Sequence, residues 1–88
     1  MLFMVIERFK DTGAVYRRLR EKGRLLPEEL KYVGSWVEAD CNRCFQLMEC
    51  DDASLFQKWV IQWQDLIDFD IVPVIKSEHA TKAIRPFL

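Results

Sequence analysis

Two stretches of helical periodicity are each bracketed by strand-like runs, and that alternation leaves few architectures open to the chain. Residues 2–9 (LFMVIERF) are rich in β-branched and aromatic side chains and too few for an isolated helix, so they read as a strand. The first of them are apolar on both faces, as in a central strand covered on both sides. Asp11-Thr12-Gly13 is a turn cluster with capping residues. It leads into a helix over roughly residues 14–24, with Val15, Tyr16 and Leu19 as a narrow apolar stripe and Gly23 as its terminator.

Residues 31–39 (KYVGSWVEA) and 43–50 (RCFQLMEC) read as two strands joined at Asp40-Cys41-Asn42, a β-hairpin. Asp51-Asp52 is an N-cap signal before the strongest amphipathic pattern, in which Leu55, Phe56, Trp59, Val60 and Trp63 recur at helical spacing to about residue 65. Residues 67–76 (IDFDIVPVIK) form the fourth strand. Pro73 cannot donate to a ladder, so this strand belongs at an edge or is bulged. Ser77 opens a short terminal helix that ends before Pro86. With right-handed crossovers, strand-helix-strand-strand-helix-strand is the α+β, ferredoxin-like βαββαβ sandwich: a four-stranded antiparallel sheet with two helices on one face. We place this domain at residues 1–76 and a helical tail at 77–88.

Both helices on one face leave the other face to be wetted or covered. The sequence suggests Met4, Ile6, Val33, Val37, Phe45 and Leu47 as the helix-facing layer, if the hairpin loop has an odd number of residues. The opposite face would then hold Phe3, Val5, Glu7, Phe9, Tyr32, Trp36, Glu38, Gln46 and Met48. A two-residue loop would pair Trp36 with Leu47 and shuffle the faces. So apolar a surface calls for a partner or a ligand, and two sheets packed across a two-fold axis would cover it and enclose a cavity. An 88-residue chain, half of it hydrophobic, buries only about 60–65% of its unfolded surface and gains from association.

The formal net charge of −1 gives no field that draws nucleic acid or anionic lipid. The apolar run of residues 1–6 is too short for a signal-peptide core or a membrane span. Three cysteines are an odd set, which suits free thiols in a reducing compartment. The expectation is a soluble cytoplasmic protein that binds neither nucleic acid nor membrane.

The run Ser35-Trp36-Val37-Glu38, then residues 43–49 (RCFQLME), Asp51-Asp52, Leu55-Phe56, Trp59, Trp63 and Asp65-Leu66 resembles a small bacterial family, domain of unknown function 3303. The opening residues 1–9 and Val72-Pro73-Val74-Ile75 are similar too, so the resemblance covers roughly residues 1–78. That family is similar in turn to the dimeric α/β-barrel superfamily. The resemblance implies a ferredoxin-like protomer, a sheet-to-sheet homodimer and a central cavity. The superfamily includes cofactor-free monooxygenases, decarboxylases and isomerases beside proteins of no known activity. No catalytic motif carries over.

Among candidate site residues, Glu7 and Glu38 are charges inside apolar strands. Facing a cavity, their pKa would rise and suit proton transfer; at strand ends they are surface carboxylates. His79 is the single histidine, either a general base at a cavity mouth or a solvated tail residue. Tyr32, Trp36, Gln46 and Met48 would line a pocket for a small, mostly apolar ligand. Cys41-x-x-Cys44 suggests a redox pair or half a zinc site. Yet Cys44 and Cys50 lie six residues apart on one strand, about 20 Å, so the cysteines share no ion, and no metal or cofactor is expected. The basic run Arg17, Arg18, Arg20, Lys22 and Arg24 reads as a solvated helix face, and Trp59 with Trp63 as core. Residues 43–48 lack the glycine and second aromatic of an RNA-recognition strand. These readings point to a homodimeric small-molecule-binding protein. The alternatives are a cofactor-independent enzyme using Glu7, Glu38 or His79, and a protein-interaction module.

Overall fold

Asp11 stops the first strand and starts the first helix in one step. Its carboxylate accepts the Ala14 backbone N–H at 3.1 Å, which caps an otherwise orphaned donor. In the computed structural model, which describes residues 1–88, β1 (Leu2–Phe9) is followed by α1 (Thr12–Lys22). Gly23 ends α1 at φ +69°, a conformation that favours glycine, and its N–H returns to Leu19 O at 2.9 Å. Then come β2 (Lys31–Val37), β3 (Arg43–Glu49), α2 (Ser54–Val60), β4 (Ile67–Val74) and α3 (Ser77–Ile84), closed by a 3₁₀ turn at Arg85–Phe87.

The strands pair antiparallel in the order β2-β3-β1-β4, so the chain has the ferredoxin-like βαββαβ arrangement. Pro73 lies on β4, an edge strand, as its missing N–H requires. The α2 helix is shorter than its pattern suggests. After Val60 the backbone tightens into i→i+3 turns, with Gln62 N–H to Trp59 O at 3.0 Å and Trp63 N–H to Val60 O at 2.9 Å. Arg18 of α1 secures this segment by donating to Gln62 O and, bidentately, to the Asp65 carboxylate at 2.8 and 2.7 Å.

On β1 and β3 the two sheet faces are the reverse of the sequence expectation. Phe3, Val5, Glu7, Cys44, Gln46 and Met48 are buried and face the helices. They meet Val15 of α1 and Phe56, Trp59 and Trp63 of the second helical segment, with the Phe3 and Phe56 rings 4.8 Å apart edge to face. Burying each of these large side chains contributes roughly 1.5–3 kcal/mol. Leu2, Met4, Ile6, Phe45 and Leu47 are half-buried on the other face.

The hairpin nonetheless leaves Val37 on the helix side and Trp36 on the other, where the sequence places them. Trp36 pairs with Phe45 and Val37 with Cys44, and Glu38 N–H bonds to Arg43 O, so the loop has an even number of residues. An irregularity between Tyr32 and Gly34 then returns Tyr32 to the inner face opposite Met48. Trp36 stays outside, 61% exposed.

Candidate functional site

Residues that share a face of neighbouring strands form rows across the sheet. Val37, Cys44, Glu7 and Phe69 make one inner row, and Ser35, Gln46, Val5 and Ile71 the next. Above the β2–β3 end of these rows, α1 and α2 diverge and leave a cleft of about 150 Å³. At ~30 Å³ per water, that is room for a compact molecule the size of about five waters. Glu7, Ser35, Cys44 and Gln46 form its floor, and Trp59, Trp63, Tyr16, Leu19 and Arg24 its walls. Tyr16 and Val37 lie exposed at its mouth.

One wall is built by an unusual shared acceptor. The indole N–H groups of Trp59 and Trp63 both donate to Arg24 O, each at 3.0 Å. The tightened turn after Val60 keeps both indoles on one side, and Leu25 follows at φ +59°, a sparsely populated conformation for a residue with a β-carbon. The Arg24 guanidinium stacks 3.8 Å from the centre of the Tyr32 ring, and the Tyr32 hydroxyl lies 2.7 Å from Ser35 Oγ.

Glu7 is 5% exposed, and no lysine or arginine forms an ion pair with it. Burial pushes its pKa from 4.5 up to about 7, opposed by a hydrogen bond with Cys44 and by the more distant Arg24 charge. The Cys44 thiol is pushed up to about 12, first by burial and then by the neighbouring Glu7. It is therefore a hydrogen-bonding group and not a nucleophile near neutral pH. Arrangement and proton affinity suit Glu7 to hold a cationic or hydrogen-bond-donating group, or to accept and return a proton near neutrality.

Of the residues singled out in the sequence, Glu7 and Gln46 stand together in this cleft. Met48 is fully buried behind Gln46, whose Nε2 donates to Met48 Sδ at 3.3 Å. Tyr32 reaches the cleft through Arg24 and Ser35. Trp36 is on the outer face. Glu38 sits at the hairpin corner, clamped by Arg43 through two 2.7 Å hydrogen bonds that hold its pKa below the usual value. His79 is exposed on α3, near Leu2 and Val74, roughly 17 Å along β1 from Glu7 at ~3.3 Å per residue.

Sequence reasoning misses Arg24, which reads as part of a solvated run, and Cys44, which is weighed only as a partner of Cys41 or Cys50 in a redox or zinc site. The shared parity of Cys44, Gln46 and Met48 was the available signal for Cys44. Cys41 is exposed, Cys44 and Cys50 are buried, all three are free, and no three His, Cys, Asp or Glu side chains cluster to hold a metal ion.

No helix is long and apolar enough to cross a membrane. No curated protein and no solved structure matches the chain. One family model does, described as Domain of unknown function (DUF3303). It spans residues 1–88 and so takes in the tail that the sequence resemblance left out. The chain belongs to this family of unknown function.

Proposed function

We propose that the protein binds a small, compact, mostly apolar molecule carrying one basic or hydrogen-bond-donating group, in the cleft at Glu7, and that it works as a homodimer joined through the outer sheet face. The observation that carries the first part is the buried carboxyl at the cleft floor with no direct ion pair, Arg24 acting on it only from a distance across the cleft. A buried ionised carboxylate without a partner costs several kcal/mol, so an ammonium group in the cleft supplies what the protein withholds. The aromatic walls suit such a ligand, both for apolar contact and for cation–π attraction.

The second part rests on Leu2, Met4, Ile6, Phe45, Leu47 and the exposed Trp36 and Val72, which form a continuous apolar surface. Its rim mixes signs, with Arg8 2.6 Å from Asp70 and Arg43 2.7 Å from Glu38, so two copies meet without net repulsion. A cytoplasmic setting agrees with the three free thiols.

Benzylamine and phenylacetate test the cleft, with binding read from the emission of Trp59 and Trp63. Benzylamine is expected to bind, Glu7→Gln to weaken it at least tenfold, and phenylacetate to bind less well. Equal binding of both probes, or no effect of Glu7→Gln, contradicts the reading. A proton-transfer enzyme is a second reading, favoured by the pKa of Glu7 near 7. It requires turnover of some substrate that Glu7→Gln abolishes.

A further inference from the structure

The α3 segment stands off the body. None of its residues is buried, and Ile75, Ile84 and Phe87 are 69, 54 and 86% exposed. The radius of gyration is 14.9 Å, against about 12 Å for a compact chain of this length. Ala80, Ile84 and Phe87 recur at i, i+4 and i+7, the stripe of a helix that packs on something. At the root of this arm is a groove of about 320 Å³ lined by Met1, Leu2, Val74, Ile75 and His79. Leu2 and Val74 pair with each other at the end of the outer sheet face, so the groove continues that face.

We propose that α3 and its terminal turn are a dimerisation arm, and that the Ile84–Phe87 tip of each protomer seats in the groove at the root of the other's arm. This rests on the homodimer reading above and adds its second contact.

Three observations favour a second copy as occupant. First, a two-fold axis perpendicular to the arms pairs them antiparallel, which brings each tip to the other root, about 18 Å away along 12 residues at ~1.5 Å each. Second, the root offers carboxylates to a basic tip, with the Met1 ammonium held by Asp51 at 3.8 Å. Glu78 and Glu49 stand at the root, beside Lys76, while Lys82 and Arg85 are at the tip. Third, the groove continues the outer sheet face through the Leu2–Val74 pair, so a tip seated there extends the proposed sheet contact without a break.

Sedimentation equilibrium of the full chain between 1 and 100 µM tests this. The wild type is expected to dimerise, and Phe87→Glu to raise the dissociation constant at least tenfold with unchanged far-UV circular dichroism. Arg85→Glu should weaken association, and Glu78→Lys added to it should restore part of the loss, which general surface disruption would not do. Phe87→Glu and Ile84→Glu variants that dimerise like the wild type overturn the arm, and if Phe45→Asp still weakens the dimer, the sheet interface survives alone. A wild type that stays monomeric at 100 µM overturns both.

Discussion

The two faces of one sheet differ in what they do with polarity. The face under the helices buries Phe3, Val5, Cys44 and Met48 and yet keeps Glu7 and Gln46 among them, 5 and 3% exposed. The open face carries almost no polar group at its centre and leaves Trp36 and Val72 in water. Charge at the centre of a core is costly and has use as chemistry; grease on a surface is costly and has use as an interface. In the function proposed above, binding belongs to the inner face and association to the outer one.

Truncation should separate the two faces most sharply. Phe56→Ala removes a ring that meets Phe3 and should cost roughly 3–5 kcal/mol in urea unfolding, whereas Val72→Ala on the outer face should cost under about 1 kcal/mol in a protomer held monomeric. Equal losses would mean that the faces are not distinct.

The Glu7 carboxyl gives the next largest effect. Its folded pKa of about 7 lies above the ordinary 4.5, so the unfolded chain ionises first as pH rises. The stability is intact below pH 4.5, declines between 4.5 and 7, and is lost above that, by on the order of 3 kcal/mol. Glu7→Gln should remove this decline and make the protein more stable than the wild type at pH 8, with no gain at pH 4. A variant equally affected at both pH values breaks the assignment.

On the outer face, Phe45→Asp should weaken the dimer by about 2 kcal/mol, roughly 30-fold, and leave the fold intact. The smallest effect is chemical. Of the three thiols, exposed Cys41 should be alkylated in the native protein, and Cys44 and Cys50 only on unfolding, as mass spectrometry of trapped adducts would show.

The order of elements was legible because each carries its own punctuation: Asp11 and Gly23 around α1, Asp51-Asp52 before α2, Pro73 on an edge. The faces were not, since Leu2 to Ile6 are all apolar and an unbroken run has no phase. Phase then rested on Glu7 and on the hairpin. A charge in a strand is ordinarily placed outward, and here it points in. The even loop depends on Cys41 at φ +62° and on the Asp40 carboxylate accepting the Asn42 N–H at 3.0 Å, and the register shifts again at Val33, local geometry that residue types alone do not announce. Glu7 and Gln46 stood out as polar groups in apolar strands. Arg24, by contrast, enters the site only because two indoles from 35 and 39 residues away share its carbonyl.

The division between the faces depends on Glu7 lying under the helices without an ion pair. A carbon-13 NMR titration of its side-chain carboxyl measures this directly. The expected midpoint is near pH 7; one near 4.5 would mean that the group sits in water or in an ion pair, and the division would fail.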